Sequence, residues 1–210
     1  MLWISHRKKS IGQNKSCSMA DIIVIEKPDS ISWDEIHNVL YRSHENNRSK
    51  GLFQATAEIS GEEIREKIGN GKCFVAMDGE KVVGTCSVKI RQPKKWFVKG
   101  KAAYYMFAGV IPEYQGKGIY SLLDGRRDKY VEDNGIDVIY MNTPEGNLRV
   151  QEQKIAKGYY LAGFFAPKNT DYYSVTLVKW KSAPPLWYIK YRFCYSKMKT
   201  LIRYRRKRIK

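Results

Sequence analysis

Two glycines separated by a single residue, Gly116 and Gly118, lie where an apolar run gives way to a helical pattern. The run from Ala103 to Val110 is typical of a buried strand, and the run from Ile119 to Val131 predicts a helix. A strand that turns through glycines into a helix leaves backbone N–H groups without intrahelical partners. The helix dipole adds about half a positive charge there, and glycines let an anion approach the main chain. The spacing therefore predicts an anion site at this turn.

Two common phosphate-binding motifs do not fit this turn. A dinucleotide-binding fingerprint would place its first glycine directly after the strand and a third glycine at the position of Ser121. A P-loop requires Gly-x4-Gly-Lys-Ser/Thr. Neither this turn nor the partial match Gly-Asn-Gly-Lys-Cys at residues 69–73 has that pattern. The sequence therefore argues against both kinds of nucleotide site.

The turn resembles motif A of the GNAT N-acetyltransferase superfamily, in which a strand ending in Val precedes Pro-x-x-Gln/Arg-x-x-Gly-x-Gly/Ala. Residues 115–119 (Gln-Gly-Lys-Gly-Ile) fit this pattern, whereas Tyr120 stands where the family usually has Gly or Ala. The resemblance implies that the turn holds the pyrophosphate of acetyl-coenzyme A. An ordinary glycine-containing turn between strand and helix is the alternative interpretation.

A second stretch strengthens the resemblance, because Asn147 followed by Gly158-Tyr159 is similar to the family's Asn-x10-Gly-Phe/Tyr segment. The resemblance implies that the strand end and this Asn contact the pantetheine arm, and that the turn contacts the pyrophosphate. The implied cofactor-binding residues are Ala108, Gly109, Val110, Gln115, Gly116, Lys117, Gly118, Ile119, Tyr120, Ser121 and Asn147. Two of them have structural alternatives, since Gly109 relieves crowding in a sheet and Asn147 is a good helix N-cap.

Acyl transfer by direct attack needs a neutral nucleophile and a proton donor for the departing thiolate. The family often places a Tyr donor seven residues after the Asn, and Lys154 occupies that position here. A lysine, whose ordinary pKa is about 10.4, serves only if it lies close and stays charged. A solvated helix face is the commoner place for a lysine. The candidate catalytic residues are Lys154 and, as a substitute, Tyr159.

The general base cannot be identified from the sequence. The strand Ala103 to Val110 carries no carboxylate, Glu113 lies in a turn typical of solvated carboxylates, and His37 and His44 are isolated histidines near the first helix. We therefore hypothesise an acceptor amine of lowered pKa, such as an amino sugar or an α-amine, rather than a lysine side chain.

The order of predicted elements is strand, helix, helix, three antiparallel strands, helix, strand, helix and two strands, over residues 21–180. Capping boxes at Ser32 and Ser60 mark two helix starts, and Asp78-Gly79 sets a hairpin turn. The polar segment His44 to Ser49 is expected to be mobile and to border the acceptor. This order is that of the GNAT superfamily. It implies an α/β fold with a central mixed, mostly antiparallel sheet, splayed strands and flanking helices.

Charge is concentrated at the two ends of the chain. The net charge is +17, yet residues 1–18 carry four Lys/Arg and residues 179–210 carry twelve, which leaves about +1 for the rest. We expect three parts: a disordered basic extension or upstream start-site artefact at 1–18, an acyltransferase domain at 19–180, and a basic aromatic tail at 181–210. The basicity therefore concerns partners or tethering and not the fold.

Several classes of protein are disfavoured. The four cysteines are scattered and lack a neighbouring His cluster, so neither a zinc site nor a disulfide scaffold is expected, and no metal cofactor is predicted. There is no apolar run of 18 residues and no signal-peptide pattern. The expected location is the cytoplasm, with the tail as the element that would bring the protein to the inner face of a membrane.

The tail from Lys179 onward has no acidic residue, and aromatic residues alternate with cations. A helix from Leu186 to Tyr204 would gather one apolar stripe within about 120° of arc. The stripe comprises Trp187, Tyr191, Cys194, Tyr195, Met198, Leu201 and Ile202. Three partners stay open: an anionic membrane, the protein's own domain or a second subunit as in a homodimer, and, less favoured, single-stranded nucleic acid.

The sequence predicts an N-acetyltransferase that moves an acetyl group from acetyl-coenzyme A to an amine of a small molecule, such as an amino sugar. One alternative is a protein of this fold that binds coenzyme A or a partner without turnover. The other is a nucleic-acid-binding protein that acts through the basic tail.

Overall fold

The computed structural model describes residues 22–49, 59–167 and 172–208. The strands are β1 (Ile22–Glu26), β2 (Lys72–Asp78), β3 (Lys81–Arg91), β4 (Ala102–Val110), β5 (Val138–Pro144), β6 (Tyr160–Phe165) and β7 (Ser174–Trp180). The helices are α1 (Trp33–Ser43), α2 (Glu45–Ser49), α3 (Gly61–Ile68), α4 (Ile119–Asp133), α5 (Leu148–Ala156) and α6 (Leu186–Arg208), with a single 3₁₀ turn at Pro112–Tyr114.

The strands form one sheet in the order β1-β2-β3-β4-β5-β7-β6. The β4–β5 pair is parallel and every other pair is antiparallel. The parallel pair requires a crossover, which α4 provides. The predicted fold class, a mixed and mostly antiparallel sheet flanked by helices, is confirmed.

Strands β4 and β5 separate along their length. They pair only over Ala103–Tyr105 and Ile139–Met141. Beyond this point Phe107 adopts a φ of +48°, and the β3–β4 register shifts between Thr85 and Ser87. A left-handed backbone is uncommon for a bulky residue, and a bulge bends the strand that carries it. The two strands therefore diverge and leave a gap at their carboxyl ends, which confirms the predicted splay.

The helix N-caps and the hairpin turn lie at the positions predicted from the sequence. The Glu35 N–H donates to the Ser32 hydroxyl at 3.0 Å, and Ser60 and Glu63 form a complete capping box. Gly79 closes the β2–β3 hairpin with a φ of +58°. The segment His44 to Ser49, predicted to be mobile, is instead helical over α2, where Glu45 lies in the first turn and Arg48 in the last.

Most of the core lies between the sheet and the helices α1, α3 and α4, with Ile36, Leu40, Ile64 and Leu123 inaccessible to solvent. A smaller cluster around Phe97 fills the other half of the sheet. The first cluster holds the end of β4 and the start of α4 in place, and these elements carry the predicted anion site.

The chain after β7 forms the helix α6, which lies along the edge strand β6. The Ser196 hydroxyl accepts from the Phe164 N–H, and the Thr200 hydroxyl donates to the Phe164 carbonyl, both at 3.0 Å. Side chains of α6 thus satisfy backbone groups that an edge strand would leave open. No helix in the described part of the chain is long and apolar enough to cross a membrane. The extension at 1–18 and the segment 50–58 lie outside the described residues.

Candidate active site

A cavity of about 980 Å³ opens at the carboxyl end of the gap between β4 and β5. Its walls come from the α1–α2 junction, the end of β4, the glycine turn with the first turns of α4, and the start of α5. The lining residues that were predicted from the sequence are Ala108, Gly109, Val110, Gln115, Gly116, Gly118, Ile119, Tyr120, Ser121, Asn147 and Lys154. Residues of three segments far apart in sequence, 43–47, 108–124 and 146–157, thus meet around one space.

The glycine turn presents a row of backbone donors. Gly116 and Gly118 have φ values of +79° and +77°, which other residues rarely adopt. Within the described chain, no backbone carbonyl accepts from the five consecutive N–H groups of residues 116–120. The first backbone bond of the helix is from Ser121 to the Gly118 carbonyl. The arrangement is a row of backbone donors at the N-terminus of a 15-residue helix, which is the geometry that favours an anion.

Side chains hold the turn against its neighbours. The Gln115 amide donates to the Val110 carbonyl at 2.8 Å and to the Ser43 carbonyl at 3.3 Å. The exposed Glu113 pairs with Arg42, which fits the solvated turn carboxylate that the sequence favoured. Gln115 therefore ties the turn to both β4 and α1, and it lines the cavity while doing so.

Gly109 is required by the close approach of α1 to β4. A Cβ atom at this position would lie 2.0 Å from the Ser43 hydroxyl oxygen and 2.6 Å from its Cβ. The Ser43 hydroxyl itself donates to the Leu40 carbonyl. The structural alternative for Gly109, relief of crowding, therefore holds, although the crowding comes from a helix and not from the sheet.

A buried ion cluster forms one wall of the cavity. Asp124 pairs with Arg127 on α4, and its second oxygen accepts from Lys154 at 2.7 Å and from Lys157 at 3.0 Å. The Lys154 and Asp124 side chains are only 2% and 3% exposed. The solvated helix face weighed for Lys154 is therefore wrong. One carboxylate faces three cations, so this wall carries excess positive charge beside the row of N–H donors.

Burial and charge pull the pKa values of this cluster in different directions. Burial alone would raise the pKa of Asp124, but the Arg127 and Lys154 cations hold it well below its usual range. Burial is the main cause that lowers the pKa of Lys154, with Asp124 opposing the shift. The pKa of Tyr120, whose ring lies 5.3 Å from the Lys154 ammonium, rises to about 12 because of burial. Asp124 therefore stays charged and holds the side chains of Arg127 and Lys154 in place.

Three predicted residues lie differently from what the sequence suggested. Tyr159 does not line the cavity, since it is buried in the core with its ring 5.4 Å from the Lys154 ammonium. The Lys117 side chain lies over the Tyr114 ring, so only its backbone N–H belongs to the turn. Asn147 occupies the N-cap position of α5, as the structural alternative expected, but it makes no side-chain cap bond, and it is one of the residues that line the cavity.

Of the two described histidines, His44 at the C-cap of α1 lines the cavity. Burial, helped by the Arg48 cation, lowers its pKa to about 4, so the imidazole is neutral near pH 7. Asp124 is the one carboxylate among the described lining residues, and it is engaged by three cations. Sequence reasoning missed Asp124 and Arg127, although their i, i+3 spacing on the predicted helix was a visible signal.

Residues 33–152 match the model of the acetyltransferase (GNAT) family, and this range covers more than half of the chain. The chain belongs to the GNAT family. Comparison with curated protein sequences gives no match.

Solved structures agree on the fold of this GNAT protein. The ribosomal-protein-S18-alanine N-acetyltransferase of Escherichia coli is 12% identical with a TM-score of 0.60, over 79% of this chain and 97% of the other. A Streptococcus agalactiae acetyltransferase is 17% identical with a TM-score of 0.56, over 76% and 98%. A GNAT acetyltransferase from Elizabethkingia anophelis with acetyl-CoA bound is 10% identical with a TM-score of 0.55, over 76% and 98%.

Proposed function

We propose that this GNAT protein is an acetyl-coenzyme A dependent N-acetyltransferase that transfers the acetyl group directly to an amine of lowered pKa. The observation that carries the proposal is the row of N–H groups at 116–120, which opens into the same cavity as the ion cluster. A GNAT structure with acetyl-CoA bound is among its structural neighbours. When bound, acetyl-coenzyme A supplies an acetyl group activated as a thioester.

The turn fits a pyrophosphate on physical grounds. Glycine at 116 and 118 removes the side chains that would keep an anion away, and the α4 dipole adds positive potential. Lys157, at the cavity rim and 42% exposed, adds a cation to the same wall. We assign the pyrophosphate to Gly116–Ser121, and the pantetheine arm to Ala108, Gly109, Val110 and Asn147. Gln115 is assigned to positioning the turn.

Lys154 is the group we assign to the departing thiolate. Its ammonium lies on the cavity wall and is held by Asp124, whose own pKa is too low for it to take up the proton near neutral pH. A positive group at this wall stabilises negative charge on sulfur and donates a proton to it. Tyr159 is assigned instead to packing against Lys154, because it lies behind the wall.

We infer the class of acceptor amine from the small number of groups on the cavity wall that could act as a general base. The described cavity wall has no carboxylate besides Asp124, and the low pKa of His44 makes it a weak base. An amine that is partly neutral near pH 7 needs little help, and an α-amine has a pKa near 8 against about 10.4 for lysine. Small molecules with such amines, amino sugars included, are therefore the proposed acceptors.

The first experiment is calorimetric titration of acetyl-coenzyme A into the wild type and a Gly118→Glu variant. The new carboxylate would repel the pyrophosphate and strain the turn, so binding should weaken by about a hundredfold or more. The matched control is Gly135→Glu at the other end of α4, where φ is +62° and no atom lies within 4 Å of an added side chain. Equal binding by wild type and Gly118→Glu would refute the site.

The second experiment measures thiol release with a panel of amines across pH. Amino sugars or α-amines should be acetylated, with a rate that levels off near the pKa of the amine. A rate that keeps rising to about pH 10 would contradict the proposed acceptor class. Tight binding without turnover on any amine would favour the second candidate, a coenzyme A-binding protein. The second candidate is supported by the ion pair between Lys154 and Asp124, because this pair already engages the ammonium group that would serve as the proton donor.

A further inference from the structure

The helix α6 has two apolar faces, and only one of them is covered by the protein. The covered face contacts β6, the residue before β7 and the loop before β4 through the rings of Phe193, Tyr204 and Tyr188, and its Ile189 is buried. At about 100° per residue Ile189, Phe193 and Tyr204 point away from the predicted stripe, whereas Tyr188 lies at its edge beside Tyr195. Ile189 and Phe193, which lie outside the stripe, therefore belong to the covered face.

The stripe itself is the outward face of α6. Trp187 is 71% exposed, Tyr191 is 59% and Met198 is 55%, and the remaining members Cys194, Tyr195, Leu201 and Ile202 are exposed as well. They lie within about 120° of arc along four turns. A contiguous apolar surface of this kind on a folded domain marks a place of interaction.

The charges around the stripe indicate its partner. Lys190 and Lys199 are exposed and flank it on opposite sides, and neither has a carboxylate partner among the described ion pairs. The chain has no acidic residue after Asp171, and the cations continue to the end of the sequence. A second copy docked on this face would bring like charges together. A partner with dense negative charge above an apolar layer fits both features.

We propose that the outward face of α6 binds the surface of an anionic lipid bilayer, with the helix lying in the membrane plane. At roughly 1.5 Å per residue the 23-residue helix is about 35 Å long, so the stripe lies flat on a surface. Trp187 and Tyr191 take the interfacial level where aromatic rings are favoured, and Lys190 and Lys199 reach lipid phosphates. The rest of the domain stays in water above the helix.

The test uses flotation of the full chain with phosphatidylcholine vesicles and with vesicles that contain one third phosphatidylglycerol. The wild type should float with the anionic vesicles, lose binding as salt rises, and ignore the neutral ones. Two double variants should each lower the partition into anionic vesicles by about tenfold or more. Lys190→Glu/Lys199→Glu removes two interfacial cations, each of which contributes roughly fivefold. Trp187→Ser/Met198→Ser removes apolar side chains that the membrane would bury.

Two control variants match these changes outside α6. Ile23→Ser/Leu122→Ser removes exposed apolar side chains from β1 and α4, and Lys67→Glu/Lys101→Glu makes the same change in charge on α3 and before β4. Both controls should float like the wild type, and circular dichroism should show all four variants folded. Floating of both α6 variants like the wild type, or equal binding to neutral vesicles, would overturn the proposal. So would a dimer in solution that Trp187→Ser dissociates.

Discussion

At the scale of single residues, one buried carboxylate holds together the charged wall of the candidate site. Asp124 bonds three cations at once, and two of them, Lys154 and Lys157, come from a different helix. A buried pair is costly unless each charge is satisfied, so the cluster fixes where the Lys154 ammonium can lie. Positioning by Asp124 is what turns a lysine on α5 into a candidate donor on the cavity wall.

Replacing Lys154 should separate catalysis from binding. Lys154→Met should lower kcat by about a hundredfold, the usual contribution of a general acid, while acetyl-coenzyme A binding changes little. Lys154→Arg should retain part of the activity because it keeps the charge. The loss in Lys154→Met should shrink when the thioester carries a thiol of lower pKa, a readout that a purely structural role would not move.

The matched control is Lys157→Met, which removes another cation of Asp124 at the exposed rim. Its kcat should fall by no more than a few-fold, as expected for a surface ion pair. Equal losses of kcat in both variants would contradict the role assigned to Lys154, and urea unfolding would confirm that both remain folded.

At the scale of elements, the cavity exists because a bulge in β4 and the packing of α1 on β4 keep its walls apart. The bulge at Phe107 turns β4 away from β5, and the end of α1 packs directly on β4 at Gly109. Gln115 then joins the turn to both elements. The anion-binding turn is therefore supported by the α1–β4 contact as well as by its own glycines.

Gly109→Ala should destabilise the protein by about 1–3 kcal/mol, because its Cβ would overlap Ser43 and push α1 away from β4. Ser43→Gly combined with Gly109→Ala should recover most of this loss, since both clashing atoms are then absent. Urea unfolding of the two single variants and the double variant gives the coupling free energy.

Gly125→Ala on α4 serves as the control, because no atom lies within 4 Å of an added side chain there. This change should leave stability unchanged or raise it slightly, since alanine favours a helix. Additive effects of the Ser43 and Gly109 substitutions would show that the predicted contact is not the cause.

At the scale of the whole molecule, charge and packing are divided between two regions. Outside the two basic ends the chain is nearly neutral, and the buried ion pair between Lys154 and Asp124 lies at the cavity. The basic tail forms α6, which covers the sheet edge at β6 and exposes a second apolar face. The same helix is thus a part of the fold and, as we propose, the surface that meets an anionic membrane. The boundary drawn at residue 180 stays a prediction.

Global stability should fall as the solution is acidified, and His44 should be a main cause. Its pKa is lowered from 6.5 to about 4, so the unfolded chain binds a proton in this range before the folded protein does. The contribution is complete above pH 6.5 and is lost as pH falls towards 4. The loss should reach roughly 3 kcal/mol.

Urea unfolding of the wild type and His44→Gln between neutral pH and about pH 4.5 measures this effect. The wild type should lose stability more steeply than the variant across that range. The pKa of the Asp124 carboxyl is also lowered, so its stabilising contribution begins to be lost as pH falls into the usual carboxyl range. This loss is common to the wild type and His44→Gln and cancels in the comparison. Parallel curves would show that the His44 imidazole is not held neutral by burial.

The order of the strands along the chain, the class of the sheet and the turn through glycines into α4 could all be predicted from the sequence, whereas the short helix α2 could not. These features follow from local rules: hydrophobic period, capping boxes at Ser32 and Ser60, and glycines at 116 and 118 where the backbone must be left-handed. Local rules concern neighbours in sequence, and each of these signals lies within a few residues of the structure it sets.

Which residues share the cavity became visible from the packing of the elements and not before. The Asp124 cluster joins α4 to α5, the Gly109–Ser43 contact joins β4 to α1, and Tyr159 turns out to lie behind Lys154. The outward direction of the α6 stripe was equally hidden, because a helix with two apolar faces does not reveal which one is buried. Contacts between distant segments depend on how whole elements pack, and no local pattern encodes that packing.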